Sequence, residues 1–151
     1  LGNAETLPAR TAKPPKPTRH AIAFALFRGD GAILVRRRAE RGLLGGMIEV
    51  PSSEWLENPG DGSAMLAAAP VAADWALLPG AVRHTFTHFH LEMRVAAASL
   101  RAERGIDGAF LAGSELDGAA LPTLMRKVVA HARSHFATAA PPVPARARRR
   151  A

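Results

Sequence analysis

Cysteine is absent from all 151 residues. That excludes a disulfide framework, a thiolate nucleophile, and any cysteine-bound metal or iron–sulfur cluster within this chain. Long apolar runs are missing too: none approaches the roughly 20 residues that a helix needs to span a bilayer. Acidic residues are scarce where they would matter most. None lies in Arg83-His84-Thr85-Phe86-Thr87-His88-Phe89-His90, and the first carboxylate after it is Glu92. The segment between Gly46 and Arg83 holds Glu49, Glu54, Glu57, Asp61 and Asp74, but no Glu-Glu pair and no arginine.

What is present is small and basic. Hydrophobic residues make up 48%, much of it alanine, as expected for a single globular domain with small interior side chains. Twenty Lys+Arg against 13 Asp+Glu give a formal net charge of +7. Arg146, Arg148, Arg149 and Arg150 carry four of those charges, leaving about +3 for the remainder. Such a balance favours polyanionic partners only modestly.

Along the chain, residues 1–18 read as a linker, with Pro8, Pro14, Pro15 and Pro17 among Arg10, Lys13 and Lys16. This suggests a domain cut from a longer protein. From Arg19 to Phe27, Ile22, Phe24 and Leu26 alternate with Ala21, Ala23 and Ala25 as in a strand. Gly29-Asp30-Gly31 supplies the turn of a hairpin, and the return strand runs from Ala32 to about Arg37. Gly42, Gly45 and Gly46 make a shaped loop before a short strand, Met47 to Val50, stopped by Pro51. Residues 52–80 say less; Ser53-Glu54-Trp55-Leu56 reads as a turn or the start of a short helix. Trp55 and Trp75 read as packing residues, and Pro79-Gly80 as a turn.

The segment around 83–90 carries the functional signal. Phe89, Leu91, Met93, Val95 and Ala97 recur at every second position, predicting a long strand from His88 to near Leu100. Phe86-Thr87-His88 then sits on a turn at its start, where hydroxyl and imidazole can hydrogen-bond and a ring can stack. The surface suits something anionic and aromatic. A histidine metal site built on His84, His88 and His90 lacks an acidic or cysteine partner and is the weaker reading. Phe110-Leu111 reads as a short edge strand. Leu121, Leu124, Met125, Val128, Val129, Ala132 and Phe136 follow helical spacing, with Pro122 in the first turn and Arg126, Lys127 and Arg133 outward. Residues 137–151 read as a disordered basic tail. Together these give an α+β domain over 19–136.

Three motifs in this order resemble the C-terminal domain of bacterial A/G-specific adenine DNA glycosylases of the MutY type. They are Arg38-x-x-Arg41-Gly42-Leu43-Leu44-Gly45-Gly46-Met47, Glu49-Val50-Pro51, and His84-x-Phe86-Thr87-His88-x-His90-Leu91. Leu121-Pro122-Thr123-Leu124-Met125 fits as well, and the resemblance runs over about residues 7–136. It implies a Nudix-like α/β/α sandwich with a mixed sheet and a C-terminal amphipathic helix. It also implies a non-catalytic role in base excision repair, recognising 8-oxoguanine opposite adenine in double-stranded DNA.

By that resemblance Phe86, Thr87 and His88 inspect the oxidised base, Arg83 and His84 join them on the DNA, and Arg37, Arg38 and Arg41 touch the backbone. Oxidation turns N7 from acceptor into donor and adds an oxygen at C8, an edge that the Thr87 hydroxyl can pair with. The family often carries serine where this chain has Thr87. The second partner is the N-terminal catalytic domain of the same polypeptide, and the family's [4Fe-4S] cluster belongs to that domain. No cofactor, metal or catalytic residue is expected in this chain, and the domain is expected to be monomeric, cytoplasmic and free of membrane.

The competing enzymatic reading is a Mg²⁺-dependent Nudix nucleotide hydrolase of the 8-oxo-dGTP type. It needs a helix with an Arg-Glu pair and two further glutamates to hold the metal and activate water. Pro51 and Pro59 interrupt that helix here. A protein-interaction module on a degenerate Nudix fold is the third reading.

Overall fold

A computed structural model of the chain describes residues 15–37, 47–100, 106–119 and 121–139. Residues 1–14, 38–46 (with Arg38 and Arg41), 101–105, 120 and 140–151 lie outside the described residues.

The spine is a pair of ten-residue strands, β1 (Thr18–Phe27) and β6 (His90–Ser99), running parallel from Thr18↔His90 to Phe27↔Ser99. Alternation in β1 was readable as two faces, and both turn out to be covered: residues 21–26 are all buried. The alanines at 21, 23 and 25 face α3 (Thr123–Ala139), while Ile22, Phe24 and Leu26 fill the opposite side. Small side chains on one face let a helix come close, and bulky ones on the other compensate for a thinner cover.

The turn after β1 forms as its residues dictate. Gly31 takes φ 93°, and the Asp30 carboxylate accepts from the Ala32 amide at 3.1 Å and from Arg28. The Arg28 hydrogen bond, chiefly, lowers the Asp30 pKa to about 2. β2 (Ile33–Arg37) returns antiparallel and is flanked by β7 (Ala109–Leu111) and β3 (Ile48–Glu49). On the other side β4 (Ala76–Leu77) and β5 (Val82–Thr85) pair antiparallel with β6. The order is β3-β2-β1-β6-β4, with β5 on β6 and β7 on β2, a mixed sheet.

α3 buries Leu124, Met125, Val128, Val129 and Ala132, the stripe that the sequence spacing marks, and continues through Ala139. Each large aliphatic side chain so buried contributes about 1.5–3 kcal/mol. Phe136 stacks on Phe27 with centroids 5.4 Å apart. The other face is covered by the single turn α1 (Ser63–Leu66), through Met65, and by Trp75, edge-on to Phe24 at 5.2 Å. The result is the α/β/α layering, with one further short helix, α2 (Gly113–Asp117).

Two expectations need correction. Residues 53–56 form neither turn nor helix. The segment runs extended along β1, bridging Ala23↔Ser52 and His20↔Leu56, where β2 has diverged and left backbone groups to pair. Ser53 is buried because its Oγ accepts from the Ile22 amide at 3.0 Å. The long strand, in turn, starts at His90 rather than His88, because residues 87 and 88 are used up by the turn.

Candidate functional site

β5 and β6 form a hairpin with a two-residue loop. The Phe86 amide donates to the Phe89 carbonyl at 2.8 Å, so Thr87 and His88 form the tip, and both are exposed. Cross-strand register then fixes every other side chain: Thr85↔His90, His84↔Leu91, Arg83↔Glu92. Odd and even positions of β5 therefore face opposite sides.

Behind the tip lies an aromatic stack. Phe86 is half-buried, with centroids 4.9 Å from Phe89 and 5.7 Å from Trp55, nearly parallel to the latter. The Arg19 guanidinium lies 4.1 Å from the centroid of the Phe89 ring, and the Lys16 ammonium donates to the Phe86 carbonyl at 3.2 Å. Rings give the loop a stiff base, and two cations flank it. Lys16 and Arg19 were not singled out from the sequence, and Trp55, read there as a packing residue, does pack, against Phe86 and Phe89. Trp55 arrives on the extended segment 51–56, whose pairing with β1 has no periodic signature.

Phe86, Thr87 and His88 are thus together at the tip, as the sequence suggested. Arg83 and His84 lie below them on opposite faces. Arg83 is exposed and bonded to Glu92 at 3.2 Å. The expected absence of a carboxylate holds at the tip and fails two positions down β5. The turn length alone could have revealed this, since a two-residue loop at 87–88 places 83 opposite 92. An exposed pair of this kind is worth less than about 1 kcal/mol and leaves Arg83 able to exchange partners. His84 faces α3, where its Nδ1 is 3.2 Å from the Lys127 ammonium, whose proton also reaches the Arg83 carbonyl at 3.0 Å. Burial first, then the Lys127 charge, holds the His84 pKa below its ordinary value. The His84 ring is seated between Lys127 of α3 and the Phe86 ring, whose centroid is 4.9 Å away. His90 faces away and contacts the Thr85 hydroxyl at 2.9 Å. No group of three metal-ligating side chains is found among the described residues.

Arg37 stands on β2, separated from β6 by β1, while Arg38 and Arg41 lie outside the described residues. Its neighbour Arg36 pairs with buried Glu49 at 3.0 Å, and both border a cavity of about 410 Å³ with Arg19 and Trp55.

Among the described residues, the donor set for a catalytic Mg²⁺ does not fit. The only helix between β3 and β4 is Ser63-Ala64-Met65-Leu66, without a carboxylate, and Glu49 is already held by Arg36.

The NUDIX domain profile matches residues 22–131. No curated protein shows a significant sequence match. Among solved structures, the C-terminal domain of mouse MUTYH, in its complex with human PCNA, superposes with a TM-score of 0.63 at 24% identity. That match covers 83% of this chain and 94% of the mouse domain. The MutT protein of Methanosarcina mazei Go1 superposes with a TM-score of 0.64 at 14% identity, covering 78% and 94%. The MutT NUDIX hydrolase of Burkholderia pseudomallei gives 0.56 at 21% identity, covering 76% and 97%. At these identities the likeness establishes the fold alone, which NUDIX hydrolases share with the C-terminal domain of mouse MUTYH. With the profile spanning most of the described sheet and reaching into α3, the chain belongs to the NUDIX domain family.

Proposed function

We propose that this domain is the DNA-binding domain of an A/G-specific adenine glycosylase, reading 8-oxoguanine opposite adenine and performing no chemistry itself. The observation that carries the reading is the exposed Thr87-His88 loop on its aromatic base, flanked by Lys16 and Arg19 and free of carboxylate. The likeness to the C-terminal domain of mouse MUTYH agrees with it. On this reading the Thr87 hydroxyl pairs with the changed edge of the base, and His88 lies at hydrogen-bonding range of a phosphate. Phe86, anchored on Trp55, sets the height of the loop rather than wedging freely between bases.

The test is fluorescence anisotropy of this chain with duplexes carrying 8-oxoguanine:adenine or guanine:adenine at low salt. Tighter binding of the oxidised duplex, weakening as salt rises, is the expected result. Equal affinity for the two duplexes sinks the reading. The likeness to MutT proteins keeps a nucleotide hydrolase as the second reading. Turnover of 8-oxo-dGTP with Mg²⁺ would establish it.

A further inference from the structure

A groove of about 370 Å³ runs between α2 and α3. Its floor is apolar: Leu116, Leu121 and Val129 remain 5%, 7% and 8% exposed there, at the outer margin of the core. One wall carries Arg126 and Arg133, both exposed and in no ion pair among the described residues. Asp117 stands on the other wall. Arg126 and Arg133 are seven residues apart on a straight helix, about 10.5 Å along its axis, and so project from nearly the same side.

We propose that this groove docks an acidic helical segment of a partner protein, two leucine-like side chains entering the floor and a carboxylate meeting each arginine. A second helix matches the spacing: acids at i and i+7, with aliphatic residues at i+3 and i+4 between them. Charge selects the occupant. The chain's own tail brings Arg146, Arg148, Arg149 and Arg150 and is repelled by the arginine wall. Duplex DNA is the weaker match: the two arginines would hold phosphate, but the apolar floor between them has no counterpart on a duplex backbone. The α2 wall lies away from the hairpin, since α2 packs against β7, which pairs with β2 on the other side of β1. The α3 wall is nearer to it: Arg126 adjoins Lys127, whose ammonium donates to the Arg83 carbonyl.

The probe is a fluorescein-labelled peptide, Glu-Ala-Ala-Leu-Leu-Ala-Ala-Glu, capped at both ends and titrated with the full chain by fluorescence polarisation. Saturable binding in the tens-of-micromolar range is expected, as weak transient contacts show. Replacing both peptide glutamates by glutamine, or using the R126E/R133E variant, weakens it about tenfold or more, or 1.4 kcal/mol. Affinity for duplex DNA stays within about twofold in R126E/R133E. The proposal is overturned if the peptide does not saturate at about 1 mM, or if the glutamine peptide binds equally well. It also fails if R126E/R133E, still folded by circular dichroism, loses duplex affinity about tenfold, which would make the arginines a DNA surface. The peptide arm decides the matter even if the variant misfolds.

Discussion

Trp55→Ala removes the ring on which the tip of the hairpin rests. Truncating a fully buried tryptophan to alanine costs about 3–5 kcal/mol. Trp55 is only half-buried, so the transfer and cavity contribution falls to the lower part of that range or below it. To this is added the loss of two ring contacts, with Phe86 at 5.7 Å and Phe89 at 6.1 Å. Each such aromatic pair is worth about 0.5–1.5 kcal/mol beyond area. Because a half-buried site can relax towards solvent, the two sources overlap, and the expected loss is about 2–3 kcal/mol. Urea unfolding followed by far-UV circular dichroism measures it, with Trp75 fluorescence as a second probe of the opposite face. The midpoint should fall while the slope stays constant. Trp55→Phe should recover more than half of the loss. A change below about 0.5 kcal/mol would mean that the stack is not a packed support, and the account of a stiffened tip would go with it.

Gly108 sits at φ 123°, and a Cβ there would run into the carbonyl oxygen of Val35. Gly108→Ala should cost about 2 kcal/mol or more by prising β7 from β2, read as lost amide protection at Ala109–Leu111. Arg36→Ala removes the 3.0 Å ion pair made to the buried Glu49 carboxylate. With Arg36 itself partly exposed the cost is about 1–2 kcal/mol, recovered in part by removing Glu49 as well in a double-mutant cycle. His84 titrates below its ordinary value, so the unfolded chain takes up the proton first as pH falls. Stability is therefore complete above about 6.5 and declines as pH drops towards the folded-state value. Lys127→Gln should raise the midpoint seen by NMR only part of the way back, burial being the larger cause; an unmoved midpoint would discount the Lys127 charge.

Local signals gave reliable elements. The Gly29-Asp30-Gly31 hairpin, the α3 stripe and the edge strand at Phe110-Leu111 all follow from residues within a few positions of one another. The strand-face alternation of β1 was equally plain, but its burial on both faces was not, because the covering residues Met65 and Trp75 come from the least patterned part of the chain. The extended course of residues 51–56 depends on backbone groups of β1 about thirty residues away. Its serines and glutamate look like turn chemistry unless that partner is known. α2 has a single buried apolar residue, Leu116, and β4 leaves both of its side chains exposed, so neither has a period to detect. At the candidate site, the tip itself was legible from the alternation of β6. The cations beside it were not, since Lys16 reads as linker charge and Arg19 as the first residue of a strand until parallel pairing sets β1 beside β6.

The central claim is that a hydroxyl on a stiff, carboxylate-free loop distinguishes 8-oxoguanine from guanine. A competition anisotropy titration with 8-oxoguanine:adenine and guanine:adenine duplexes, run on the chain with Thr87 and on Thr87→Ala, tests it most directly. The account predicts a preference for the oxidised duplex that drops about fivefold in Thr87→Ala, the value of one neutral hydrogen bond. A preference of the same size in both proteins would contradict it.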